Sequence, residues 1–89
     1  MTSKTTRRFR EAYRRLPEQI QRRAREAYRR FTDDPNHPSL HFKQVHASRP
    51  IYAARVGLGY RALALVDGET AIWFWIGTHA EYDQLLRAL

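Results

Sequence analysis

The stretch Ile51–His79, IYAARVGLGYRALALVDGETAIWFWIGTH, constrains the fold most, because it is the one long run that reads as adjacent strands. Two runs rich in β-branched, aromatic and aliphatic residues, Tyr60–Val66 and Ala71–Gly77, flank Asp67-Gly68-Glu69-Thr70, whose Asp-Gly pair is a hairpin signal. Upstream, Ile51–Val56 is separated from Tyr60 by Gly57-Leu58-Gly59, and two glycines permit the positive φ angles that a tight connection or bulge needs. Three consecutive antiparallel strands, a meander, are expected. On the last of them, alternation puts Ile72, Phe74 and Ile76 on one face and Trp73 and Trp75 on the other. Both faces are apolar, as in a central strand, and burying each large side chain contributes about 1.5–3 kcal/mol. The tryptophans either belong to this core or floor a groove that stacks nucleotides.

The N-terminal half has a different period. Phe9, Ala12, Tyr13 and Leu16 recur at the spacing of one helix face, predicting a helix over Thr6–Leu16. Pro17 ends it and opens a second, marked by Ile20, Ala24, Ala27, Tyr28 and Phe31 and ending near Asp33-Asp34-Pro35. Asp33–Ser39 is a turn-rich connector, Leu40–His46 alternates as a strand, and Ala47–Pro50 turns the chain into the meander. A short helix, Ala80–Leu89, closes the order, with Tyr82, Leu85 and Leu86 docking. The expected architecture is α+β: an N-terminal α-helical hairpin packed on a four-stranded, mainly antiparallel sheet, with a short C-terminal helix and the helices on one sheet face.

A chain of 89 residues makes a single domain, residues 1–89, burying about 60–65% of the surface its unfolded form exposes. It has no cysteine, which excludes a disulfide framework, a thiolate zinc site and a cysteine nucleophile, and fits a reducing, cytoplasmic setting. No apolar run approaches a membrane span and Met1–Arg15 lacks a secretory hydrophobic region, so a soluble protein with no membrane partner is expected. The helical stripe continues across Pro17, which argues against a transit peptide.

The net charge of +7 is unevenly spread: residues 1–30 carry eleven Lys and Arg against three glutamates. Such a block favours an anionic partner through attraction that weakens with salt. Arg22, Arg25 and Arg29 on the second helix are candidate nucleic-acid contacts, the alternative being a solvated helix face.

A basic helical hairpin ending in Leu-Pro and Asp-Pro, then Leu40-x-Phe42-Lys43, Tyr52-x-x-Arg55-Val56-Gly57, Gly59-Tyr60-Arg61 and Trp75-Ile76-Gly77-Thr78-His79 with Tyr82 close behind resembles the RelE/ParE superfamily of bacterial toxins. The similarity spans nearly the whole chain and is most specific between the Gly-Tyr-Arg turn and Ile-Gly-Thr-His. It implies a compact toxin neutralised by a co-encoded antitoxin protein. In the RelE branch the activity is cleavage of messenger RNA in the ribosomal A site; in the ParE branch it is inhibition of DNA gyrase. Members of the family usually begin with a strand, whereas Thr2–Arg8 here is short and charged, so a fifth, N-terminal edge strand is left open and four are assigned. Where RelE has two lysines before the Gly-Tyr-Arg turn this chain has Ala53 and Arg55, and where RelE has an arginine after Ile-x-x-Gly it has His79.

Metal-independent RNA cleavage needs a 2′-hydroxyl deprotonated, phosphorane charge stabilised and the leaving 5′-oxygen protonated. His79, at the end of the last strand, is the candidate acid or base. Arg55 and Arg61 flank the glycine turn and can clamp phosphate oxygens; the alternative for Arg61 is to brace the sheet against a carboxylate such as Asp83. Tyr82, three residues on, either joins the proton relay, stacks a base or docks the helix. Lys43 adds charge to the groove or guards an edge strand, and His46 is a reserve acid–base candidate. Pro38 between His37 and His41 removes the helical alignment a zinc pair would use, so no metal is expected. Gly57-Leu58-Gly59 leads into a strand rather than a helix, so no dinucleotide cofactor is expected.

Overall fold

The computed structural model describes residues 1–89. The meander is present as β3 (Ile51–Val56), β4 (Tyr60–Asp67) and β5 (Thr70–Thr78), antiparallel throughout. Gly68 takes φ 59° in the β4–β5 turn and Gly57 takes φ 62° in the β3–β4 turn, conformations that a side chain would strain. Gly59 is not in the left-handed region, so one glycine rather than two makes that turn.

Four features differ from the sequence expectation. First, the sheet has five strands, in the order β1-β5-β4-β3-β2, because Thr2–Thr5 forms β1, parallel to β5. The polar residues Thr2, Ser3 and Lys4 suit an edge paired on one side only, and Ser3 Oγ accepts from Trp73 Nε1 at 2.7 Å. The helical pair therefore follows a strand, with Thr6 Oγ1 capping α1 (Arg7–Arg14) through Phe9 N at 3.1 Å. Second, β2 is only Lys43–Gln44. Pro38 starts a 3-10 turn over Pro38–Leu40, and His41 leaves it in a left-handed conformation at φ 46°. A strand cannot begin before that turn is complete.

Third, the helices lie on both faces of the sheet. α1 and α2 (Glu18–Asp33) cover one face, over a core that includes Phe31, Leu40, Val56, Trp73 and Ile76. Phe31, 1% exposed, packs edge-on to Phe42 and Trp73 with ring centroids at 4.8 and 5.1 Å; its burial alone is worth about 3 kcal/mol. α3 (His79–Ala88) covers the other face, with Tyr82, Leu85 and Leu86 against Ile51, Ala53 and Leu63. Fourth, Leu63 pairs with Trp75 and the next residue, Ala64, with Trp73, so Phe74 is an extra residue in β5. This bulge inverts the alternation: Trp73 joins Ile76 under α1 and α2, while Phe74 and Trp75 pack towards α3.

Candidate functional site

The β3–β4 register sets Arg55 opposite Arg61, and the β4–β5 register sets Arg61 opposite Gly77. Both arginines share sheet parity with Ala53 and Leu63, and so stand on the face that α3 covers. β2 brings Lys43 opposite Ala53, and α3 starts at His79, held to the β3–β4 turn by His79 N donating to Gly59 O at 2.8 Å. The result is a cleft of about 160 Å³ lined by His41, Lys43, Arg55, Arg61, His79 and Tyr82 over Ala53 and Ala54. Its two arginines and one lysine face no carboxylate of the lining.

His79 Nδ1 lies 3.1 Å from Asp83 Oδ2, one helical turn on. A carboxylate only accepts, so the contact puts the proton on Nδ1 and leaves Nε2 of the neutral ring with its lone pair. The imidazole edge also meets the Tyr82 ring, centroids 5.8 Å apart. Burial raises the Tyr82 pKa, with Asp83 adding to the rise and Arg61 opposing it, so the phenol stays protonated past its ordinary value.

Arg61 makes no ion pair; its Nη1 donates to Tyr60 O at 2.8 Å, and the carboxylate brace to Asp83 is not formed. Burial first, and Arg55 second, lower the Arg61 pKa, against the opposite influence of Tyr82 and Asp83. Arg55 Nε is buried without a hydrogen-bond partner, and Arg55 Nη1 lies 3.5 Å from His41 Nε2. Two neighbouring guanidiniums without a counter-charge in the lining repel one another and are suited to an anion.

Of the residues singled out in the sequence, His79, Arg61, Arg55, Tyr82 and Lys43 come together, and His46 does not. His46 Nδ1 accepts from Ser48 N at 3.2 Å and Arg49 N at 3.0 Å, and its Nε2 lies 3.1 Å from Leu89 O. Both ring nitrogens are thus engaged in fastening the β2–β3 turn to the end of α3. Arg22, Arg25 and Arg29 lie on α2, across the sheet from the cleft: Arg22 reaches Glu18 at 3.8 Å, Arg25 Nη1 donates to Tyr13 Oη at 2.6 Å, and Arg29 is exposed. His41 and Asp83 were not among the candidates. The spacing of His41 from Lys43, and of Asp83 from His79 on one helix face, are the signals that point to them.

The sequence model of the ParE-like toxin domain matches residues 18–84. No curated protein sequence matches the chain. Among solved structures, the RelB–RelE antitoxin–toxin complex of Methanococcus jannaschii superposes with a TM-score of 0.75 at 18% identity, over 92% of this chain and 96% of that one. The toxin–antitoxin complex RelBE2 of Mycobacterium tuberculosis gives 0.70 at 23% identity, over 88% and 96%. YafQ of E. coli gives 0.72 at 9% identity, over 90% and 94%. At these identities the likeness is one of fold. The family match embraces α2, the meander and every residue lining the cleft, and on it the chain belongs to the ParE-like toxin domain family.

Proposed function

We propose that the chain is the toxin of a type II toxin–antitoxin pair, and that it cuts messenger RNA on the ribosome as a metal-independent endoribonuclease. The observation that carries this reading is the His79–Asp83 pair beside the uncompensated Arg55 and Arg61. A pure binding surface has no need of an oriented imidazole next to two phosphate-clamping groups. His79 Nε2 takes the proton of the 2′-hydroxyl, whose oxygen attacks the adjacent phosphorus; Arg55, Arg61 and Lys43 stabilise the phosphorane; the bond to the 5′-oxygen then breaks. The leaving oxygen takes its proton from the neutral phenol of Tyr82, whose phenolate the neighbouring Arg61 stabilises until the imidazolium of His79 returns the proton. The products are a 2′,3′-cyclic phosphate and a free 5′-hydroxyl. The partners are a cognate antitoxin, as in the RelB–RelE complexes of like fold, and the message with its ribosome.

The ParE-like character of the family model favours a second reading, non-enzymatic inhibition of DNA gyrase. End-mapping of transcripts after induction separates the two. New 5′-hydroxyl ends within messages support the ribonuclease; growth arrest with intact messages removes it and leaves the gyrase reading.

A further inference from the structure

We propose that the groove between α2 and the β3–β4 turn is a second phosphate subsite, which holds the backbone of single-stranded RNA next to the cleft. The inference rests on the ribonuclease reading for the identity of the polymer and on separate residues for the site. The groove has a volume of about 300 Å³ and is lined by Arg23, Glu26, Arg30, Ser39, Arg55 and Leu58, among others. Arg23, Glu26 and Arg30 share one face of α2 through their spacing. Neither Arg23 nor Arg30 forms an ion pair with Glu26, the one carboxylate present, and neither takes part in any side-chain hydrogen bond. Three guanidiniums thus converge on one groove with a single negative charge beside them.

The Arg23 side chain of α2 reaches over the turn at Gly57. A β-carbon there would approach Arg23 Nη1 at 3.0 Å and Cδ at 3.1 Å, and Gly57 also needs its positive φ. The exposed Arg23 side chain thus runs along the turn.

Arg55 decides what occupies the groove. It lines both the groove and the cleft, with Nη1 3.5 Å from His41 Nε2 and with a buried, unpartnered Nε. An anion in the groove is continuous, through one guanidinium, with the anion in the cleft. A phosphodiester chain carries a charge on every repeating unit and can engage both at once; an acidic peptide matches the groove's charge but has no reason to enter the cleft. Contacts of this kind position a strand and do not read its bases.

The test is the binding of a fully 2′-O-methylated single-stranded RNA, which cannot be cleaved, to the purified protein by fluorescence anisotropy across a salt series. Three proteins are compared: wild type, Arg23→Gln/Arg30→Gln, and Arg8→Gln/Arg14→Gln, which removes two exposed charges from α1. Thermal melting confirms that all three fold. The groove variant should bind about tenfold more weakly or worse and lose about 1.4 from its log–log salt slope, the share of two single-strand phosphate contacts, while the α1 variant keeps most of both. Equal losses in the two variants would overturn the subsite. So would unchanged RNA binding with weakened antitoxin binding, which assigns the groove to a protein partner. If wild type cuts no message yet the groove variant alone loses RNA affinity, the subsite stands and the ribonuclease reading falls.

Discussion

At the scale of single residues, the proposed reaction asks different work of groups that look alike in sequence. Chemistry at His79 requires Nε2 to be the free nitrogen, and the 3.1 Å contact to Asp83 is what makes it so. His79→Gln should lower cleavage about 10²–10⁴-fold, the usual share of a positioned acid or base. Asp83→Asn should cause a smaller fall in kcat, because orientation is weakened while the imidazole remains. Single-turnover cleavage of ribosome-bound message measures both, and an undiminished rate in His79→Gln would remove its role. Arg61 allows a sharper separation of chemistry from folding. Removing a contact to transition-state charge costs about 2.7–4 kcal/mol of barrier, a hundredfold to a thousandfold in rate. Yet Arg61 has no ion pair to lose, and its neighbour Arg55 repels it. Arg61→Ala should therefore abolish growth inhibition while melting no lower than wild type; a markedly lower melting temperature would make it a structural brace instead.

At the scale of elements, what was legible in the sequence depended on whether an element's signal is local. The hairpin at Asp67-Gly68 and the glycine turn at Gly57 are written in the few residues that make them, and both appear where expected. β1 was missed because a polar edge strand gains its pairing from β5, some seventy residues away in sequence. The bulge at Phe74 was missed for a similar reason: alternation along β5 cannot show that β4 supplies one residue where β5 uses two. Arg55, Arg61 and His79 could be named from the glycine turn and the strand end, whereas His41 needed the left-handed turn after Leu40 to bring it round. The start of α3 carries its own prediction. Thr78 Oγ1 accepts from Glu81 N at 3.2 Å, and Glu81 Oε1 accepts from Thr78 N at 2.9 Å, a reciprocal capping box. These hydrogen bonds, from the Thr78 backbone first and its hydroxyl second, lower the Glu81 pKa below 4.5. A carboxylate with a depressed folded pKa stabilises fully above its unfolded value and loses that contribution as pH falls through the folded one. Melting temperatures of wild type and Glu81→Gln should accordingly differ most near neutrality and converge as pH drops below about 4.5. A gap unchanged down to pH about 3 would show that the carboxylate charge contributes nothing to the cap.

At the scale of the whole molecule, positive charge stands on both faces of the sheet. Arg22, Arg25 and Arg29 ride on the outside of α2, and Arg55, Arg61 and Lys43 gather under α3 on the other side. Outer charges in high dielectric are screened by salt and cost the fold little. The cleft charges are different, since burial already disfavours the cation at Arg61 and Arg55 adds to that. The free protein thus folds against a local repulsion that any well-placed oxyanion would relieve. A ligand that binds the folded state and not the unfolded one stabilises in proportion to the logarithm of its concentration above Kd. Inorganic phosphate should therefore raise the melting temperature beyond the effect of sodium chloride at equal ionic strength, and Arg55→Ala/Arg61→Ala should lose that excess. The same variant, freed of its repulsion, should melt as high as or higher than wild type in low-salt buffer without phosphate. Two results would count against this account: a phosphate effect that survives in the double variant places the anion elsewhere, and a double variant that melts lower in every buffer shows that the paired arginines support the sheet. If both expectations hold, the cationic cleft is a site that the fold maintains at a cost to its own stability, and its occupant is an oxyanion.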